Sequence, residues 1–294
     1  MLVTMKEILD RASAEGYAVA APNVDNEVNA RACIEAAEDL NAPIILDVAF
    51  GAAIDIQFAG KMMVELAKQA KVPVAINLDH GASFDQVIQC IQAGFTSVMI
   101  DRSSCSYEEN VRDTKYVVDI AHKAGVSVEA ELGHVGQADN YDVDRNAALT
   151  DPEVAKKFIE DTGVDCLAVA VGTAHGAYPK GYIPYLDFER LAEIKKATDN
   201  FPLVMHGSSG TKEEDLYKAC RMGINKVNVN NDICQAIVEK VKSTDYEGNK
   251  AYFIMMSVAI AIKEKTKELI KLYGSDGKAW TPEVQGLPRS KFPF

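Results

Sequence analysis

His80, His175 and His206 each close a short apolar run, and each is followed by glycine. The strings are Ala75-Ile-Asn-Leu-Asp-His-Gly, Ala168-Val-Ala-Val-Gly-Thr-Ala-His-Gly and Pro202-Leu-Val-Met-His-Gly. Apolar runs of this length read as buried strands, and the glycine marks a turn that lets backbone approach a ligand. If the strands are parallel, three imidazoles arrive at one rim. Three neutral imidazoles with an open fourth position make a catalytic zinc site.

Other polar residues crowd the same strand ends. Asp79 precedes His80. Adjacent strand residues point to opposite sides, so one of the two is expected on the metal and the other toward a substrate. Asp79 reads either as a general acid/base or as a carboxylate that orients an imidazole. Asp101 and Glu131 end two further strands and read either as oxygen ligands of a second cation position or as hydrogen-bonding rim residues. His206-Gly-Ser-Ser-Gly210, with Gly207, Ser208 and Ser209, is a small-residue loop whose N–H groups can cradle an anion. Asn228-Val-Asn-Asn-Asp232, with Asn230 and Asn231, leads into a helix N-terminus, where dipole and free N–H groups favour negative charge. Lys180 adds a cation nearby. His122 reads as a solvated helix residue and His134 as a loop residue near the rim.

The elements that must position these residues alternate along the chain. Strands are expected over 17–24, 43–50, 72–78, 96–100, 126–130, 165–171, 202–205 and 225–230. Helices are expected over 25–40, 57–70, 83–93, 108–124, 151–161, 187–198, 212–221 and from 232. Ser83 reads as an N-cap, and Pro152 occupies a first helical turn. Eight strand–helix units predict a closed parallel (β/α)8 TIM barrel, an α/β fold whose active sites lie at the C-terminal rim of the strands. His80, His175 and His206 fall at the ends of strands three, six and seven, and a phosphate site is expected after strands seven and eight. Residues 249–272 form an extra C-terminal helix. No linker interrupts the pattern, so residues 1–294 read as a single domain.

Composition narrows the partners. Acidic residues number 43 against 31 basic ones, a formal charge of −12, which disfavours nucleic acid and anionic membrane as partners. An anionic substrate must then be captured by local donors. Six cysteines without a C-x-x-C pair read as reduced thiols of a cytoplasmic protein. The first residues lack a signal-peptide pattern, and no apolar run approaches the roughly 18 residues needed to span a bilayer.

The strings Asn77-Leu-Asp-His-Gly, Gly94-Phe-Thr-Ser-Val-Met-Ile-Asp, Val128-Glu-Ala-Glu-Leu-Gly133, Gly172-Thr-Ala-His-Gly, Leu186-Asp-Phe and Lys226-Val-Asn-Val resemble class II ketose-bisphosphate aldolases. The likeness, to the tagatose/fructose-bisphosphate branch, runs from about residue 5 to about residue 275. It implies a zinc-dependent lyase that reversibly cleaves a ketose (bis)phosphate into dihydroxyacetone phosphate and an aldehyde, in a homodimer or homotetramer. It implies His80, His175 and His206 as zinc ligands, Asp79 as acid/base on the cleaved hydroxyl, and Asp101 and Glu131 near an alternative metal position. Gly176, Lys180, Gly207, Ser209, Asn228 and Asn231 match positions that hold the C1 phosphate and a monovalent cation, and Asn23 matches an asparagine near the substrate.

Several positions depart from the family pattern. Pro22 replaces phenylalanine before Asn23. Asp47-Val-Ala49 stands where glutamine followed by serine or threonine is usual. Asn230-Asn231 replaces a small or acidic residue followed by a hydroxyl residue. These changes leave open a ketose phosphate with a different aldehyde half, with Asp47 and Ala49 hinting at an altered pocket. A non-catalytic sugar-phosphate-binding homologue is the alternative without chemistry. Lys226 on strand eight shares a face with Asn228, which raises a Schiff-base aldolase as a chemical rival. Cleaving the C3–C4 bond leaves charge on the triose half, which a Lewis acid stabilises. The loop Gly133–Asp144 is expected to close over the site, with Asp139, Asp142 and Asp144 as candidates for proton exchange.

Overall fold

The computed structural model describes residues 1–52, 55–133, 135, 149–174 and 184–281. Within these, the strands are β1 (Val19–Pro22), β2 (Ile44–Ala49), β3 (Val74–Gly81), β4 (Ser97–Ile100), β5 (Ser127–Leu132), β6 (Cys166–Val169), β7 (Leu203–Met205) and β8 (Ile224–Val229). They form one parallel sheet in the order β1-β8-β7-β6-β5-β4-β3-β2. The Val24 N–H donates to Asp47 O at 2.8 Å, and Asn23 bridges Asp47, so the sheet's two ends meet. The result is a (β/α)8 barrel.

The helices are α1 (Met5–Glu15), α2 (Glu27–Asp39), α3 (Ile56–Gln69), α4 (Phe84–Ala93), α5 (Tyr107–Lys123), α6 (Pro152–Thr162), α7 (Phe188–Ala197), α8 (Glu213–Met222), α9 (Asn231–Ser243) and α10 (Ile254–Tyr273). Their starts follow local chemistry. Ser83 caps α4 through the Gln86 N–H, Ser106 and Glu109 form a capping box on α5, and Asp151 caps α6 with Pro152 at its first position. The expected C-terminal helix is split into a 3-10 turn over Gly248–Phe253 and α10. No helix among the described residues is long and apolar enough to cross a membrane.

Sequence periodicity left α1 unassigned. A capping box of Thr4 and Glu7 starts it, and its Met5, Ile8, Leu9 and Ala12 pack with Val19, Ile45, Ala75, Cys166 and Val204. These residues plug the N-terminal end of the barrel interior. A larger apolar cluster fills the space between strands and outer helices. Both faces of the strands are therefore buried, as parallel barrels require. Four cysteines, Cys33, Cys90, Cys166 and Cys220, are buried thiols, whereas Cys105 and Cys234 are exposed.

Along β2, β3, β5 and β8 the inward positions turn polar above that apolar plug. Asp47, Asn77, Glu129 and Lys226 make one fully buried layer. Two residues further along each strand stand Ala49, Asp79, Glu131 and Asn228, which open toward the C-terminal rim. The candidate site is built on this second layer.

Candidate active site

Strand β3 delivers both Asp79 and His80 to the site, which alternation alone forbids. His80 adopts a left-handed backbone with φ 50°, and the β3–β4 register shifts between Leu78 and Gly81. This local turn breaks the period of two, so His80 Nε2 lies 3.8 Å from Asp79 Oδ1 on the same side. Gly81 makes the turn possible, because a Cβ there would strike Met99 O and the Leu78 side chain. The expectation that the two residues face opposite sides is thereby corrected.

Asp79 is gripped through both carboxylate oxygens. Asn23 Nδ2 donates to Oδ2 at 2.9 Å, and Asn228 Nδ2 donates to Oδ1 at 3.0 Å. Burial alone would raise its pKa, but the neighbouring His80, Lys226 and His206 hold it below the usual carboxylate range. Asp79 is therefore held as an oriented carboxylate whose charged form its neighbours favour.

Two of the three candidate ligand histidines, His80 and His206, meet beside it. The His80 and His206 rings are 4.6 Å apart, centroid to centroid, at 71°. His80 Nδ1 donates to Asp101 Oδ2 at 2.8 Å, and Asp101 Oδ1 is itself held by the Ser103 N–H at 3.0 Å and hydroxyl at 2.8 Å. Burial pulls the His80 pKa down, yet the Asp101 bond leaves it raised. The same bond and those from Ser103 outweigh burial at Asp101 and hold its carboxyl well below the ordinary range.

His206 is fully buried between two glutamates, with Nε2 2.9 Å from Glu129 Oε1 and Nδ1 3.1 Å from Glu131 Oε2. Burial opposes its charge, but the two carboxylates push its pKa up to about 10. Glu131 Oε1 also accepts the Val135 N–H at 3.0 Å.

These residues fit a metal ion. One nitrogen from each of His80 and His206 and one oxygen of Asp79 lie within 4.8 Å of one another. His80, Asp101 and Glu131 make a second such group. Imidazole and carboxylate donors suit a divalent transition metal. His175, which sequence places in the ligand set, lies outside the described residues, as do Gly176, Lys180, His134, Asp139, Asp142 and Asp144.

A cleft of about 320 Å³ adjoins Asp79 and His80. Its walls are Asn23, Ala49, Gly207, Ser208, Ser209, Asn228, Asn230 and Asn231. The loop after β7 turns at Gly207, φ 64°, where a Cβ would run into the Ala174 backbone. Ser208 Oγ donates to Asn228 O at 2.8 Å and ties this loop to β8. Asn230 stands at the N-terminus of α9 with no side-chain cap bond, and Asn230 and Asn231 line the cleft, so the start of that helix adjoins it. Ala49 lines the cleft, whereas Asp47 lies in the layer beneath it and is not among the lining residues.

Sequence reasoning missed that layer. Lys226 Nζ lies 2.8 Å from Glu129 Oε2 and 3.0 Å from Asp47 Oδ2. Asn77 Nδ2 donates to Asp47 Oδ1 at 2.9 Å and to Glu129 Oε2 at 3.2 Å. Burial opposes charge on Lys226, but Asp47, Glu129 and Asp79 raise its pKa further above the ordinary lysine value. A buried ammonium held by two carboxylates is not a free nucleophilic amine, which removes the Schiff-base role from Lys226. Burial likewise works against Glu129, yet Lys226 and His206 bring its carboxyl down to about 2. The signal available in sequence is the repeat of polar, apolar, polar at Asn77-Leu-Asp79, Glu129-Ala-Glu131 and Lys226-Val-Asn228. His122 is exposed, as expected, and also pairs with buried Asp165 at 2.8 Å.

A parallel barrel with histidines, carboxylates and a cleft at its C-terminal rim places the chain in the TIM-barrel class, with donors that could hold a metal ion. The family described as fructose-bisphosphate aldolase class-II matches residues 3–278. A fructose-bisphosphate aldolase of Thermus caldophilus is 42% identical over 309 residues, covering 95% of this chain and 100% of that protein. One from Staphylococcus aureus (strain Mu50 / ATCC 700699) is also 42% identical, covering 95% and 99% respectively. The crystal structure of the YdjI aldolase from Escherichia coli K12 is similar with TM-score 0.85 and 36% identity, covering 95% of this chain and 100% of that one. The chain belongs to the class-II fructose-bisphosphate aldolase family. It is thus an aldolase, a carbon–carbon lyase of a metal-dependent family that acts on a sugar phosphate.

Proposed function

We propose that the chain reversibly cleaves a ketose bisphosphate of the fructose or tagatose type into dihydroxyacetone phosphate and an aldehyde, with Asp79 as the acid/base. The observation that carries this reading is the grip on Asp79. Two amide donors at 2.9 and 3.0 Å fix an ionised carboxylate at the mouth of an anion-sized cleft, beside two histidines. In cleavage Asp79 accepts the C4 hydroxyl proton, and in condensation it returns that proton. Gly207, Ser208, Ser209 and the start of α9 at Asn230 and Asn231 hold the C1 phosphate, which aligns the C3–C4 bond. Asn23 and Asn228 keep the carboxylate oriented and share its charge.

His80 and His206, with His175 from outside the described residues, are the ligand set we assign to Zn²⁺. Asp101 and Glu131 are assigned to an alternative position. When bound, zinc supplies Lewis-acid polarisation of the ketose carbonyl and stabilises the charge left on the triose half. Gly176, Lys180 and a monovalent cation complete the phosphate site in this reading, and the chain works as a single domain in a cytoplasmic homodimer or homotetramer.

Ala49 in the cleft wall favours one second reading: a ketose phosphate whose aldehyde half needs no hydroxyl at this point. The test is steady-state cleavage of fructose 1,6-bisphosphate and tagatose 1,6-bisphosphate by chelator-treated protein before and after zinc restoration. Zinc-restored turnover of either supports the first reading. If neither is turned over, while dihydroxyacetone phosphate still exchanges its C–H proton with deuterated water, the second reading takes its place. No exchange with fully metallated protein refutes both.

A further inference from the structure

Each of the two candidate ligand histidines His80 and His206 has a carboxylate behind it, and each carboxylate is itself held. Asp101 stands behind His80 and is fixed by Ser103. Glu129 stands behind His206, and its fixing is more elaborate. Asp47, Lys226, Glu129 and Asn77 form a closed ring of contacts drawn from β2, β8, β5 and β3. All four side chains have 0% exposure. We propose that Glu129 is a positioning residue: the ring immobilises its Oε2, and its Oε1 holds the His206 ring so that Nε2 carries the proton and Nδ1 faces the metal set. This inference rests on the metal-centre reading above.

The geometry leaves His206 one productive orientation. Nε2 lies 2.9 Å from a fully buried carboxylate oxygen of Glu129, so that nitrogen is occupied by this hydrogen bond. Nδ1 lies 3.1 Å from Oε2 of Glu131, which belongs with His80 and Asp101 to the second donor group. An imidazole that donates one N–H to a fixed carboxylate presents the other nitrogen as the lone-pair donor. A buried ionic ring is weak support for stability, because apolar residues of similar volume serve as well or better. Its worth here is directional: Lys226 and Asn77 stop the Glu129 carboxylate from rotating away from His206.

Glu129→Gln tests this directly. The amide keeps the shape, but if its oxygen stays with Lys226 its NH2 faces His206 Nε2. That contact moves the ring proton to Nδ1, the nitrogen that a metal ligand must keep free. Zinc affinity measured by competition with a chromophoric chelator is expected to fall about 10- to 100-fold. The visible absorption bands of the cobalt(II)-substituted protein are expected to shift, because the donor geometry changes. A purely structural role would lower the unfolding midpoint and leave the cobalt bands of the folded protein in place. Wild-type zinc affinity and an unchanged cobalt spectrum in folded Glu129→Gln would overturn the proposal. If that variant does not fold, Glu129→Asp is measured instead. It keeps the charge beside Lys226 and withdraws the carboxylate from His206 by one methylene, and the same two results decide. Failure of the wild-type protein to bind zinc or cobalt would instead refute the metal-centre reading on which the proposal stands.

Discussion

Replacing Asp79 by asparagine separates the chemistry assigned to it from its place in the packing. The carboxylate accepts two hydrogen bonds, from Asn23 Nδ2 at 2.9 Å and from Asn228 Nδ2 at 3.0 Å. An amide has one oxygen and one NH2, so in either orientation its NH2 meets one of these donors. Leaving a buried donor unsatisfied costs about 1–3 kcal/mol. The structure offers relief: Asn228 Oδ1 is buried with no hydrogen-bond partner among the described residues. A flip of the Asn228 amide turns that oxygen toward the new NH2 and restores that bond, leaving one NH2, that of Asn228, in the place where its oxygen had no partner. The structural cost of Asp79→Asn is therefore expected at the low end, about 1 kcal/mol.

The catalytic cost is of another size. Loss of a general acid/base typically lowers rates by about 10²- to 10⁴-fold, equivalent to roughly 3–5 kcal/mol. Cleavage kcat is expected to fall by that amount, with the unfolding midpoint little changed. Exchange of the dihydroxyacetone phosphate C–H proton involves no C4 hydroxyl, so it is expected to stay within about tenfold of wild type. Cleavage and exchange lost together would place Asp79 on the triose half or on the metal. Cleavage within tenfold of wild type in a folded variant would refute its acid/base role.

The buried layer and the phosphate loop yield further expectations. Lys226→Met strips the cation from Asp47 and Glu129 and is expected to cost about 3–5 kcal/mol by urea unfolding; a loss under about 1 kcal/mol would show that the ring carries no charge. Burial first, with Asp79 and Glu129 adding to it and Lys226 opposing, pushes the Asp47 carboxyl up to about 7. A raised folded-state pKa means stability that is fully present below the ordinary carboxylate range and lost as pH rises through about 7. Asp47→Asn is expected to flatten that part of the stability–pH curve between pH 4 and about 8, and a curve parallel to wild type would show that Asp47 stays ionised throughout. Gly207→Ala forces a side chain into a left-handed turn against the Ala174 backbone, which is expected to cost at least about 1–3 kcal/mol. It should raise KM for the phosphorylated substrate; unchanged KM and stability would mean that this loop does not hold the phosphate.

Much of this architecture is written locally in the chain. Eight apolar runs spaced by amphipathic helices specify the barrel, and Ser83 and Pro152 mark helix starts that the structure reproduces. The rim polar residues of β3, β5 and β8 were legible because each ends an apolar run. Two things were not legible, for different physical reasons. The left-handed backbone at His80 is a state that histidine adopts rarely, and it persists only because Gly81 accepts the close approach of Met99 O. No pattern in Leu78-Asp79-His80 announces it, so the two side chains were expected on opposite faces. The layer of Asp47, Asn77, Glu129 and Lys226 is non-local. Which residue of one strand stands level with which of the next is set by barrel stagger, such as Asp47 opposite Asn77. Read singly, Asp47 looked like an altered pocket residue and Lys226 like a nucleophile. Read in register, the same two residues contact each other one layer below the cleft. A charged residue two positions before a rim residue on a barrel strand is therefore best weighed against its level neighbours before any role in catalysis is assigned to it.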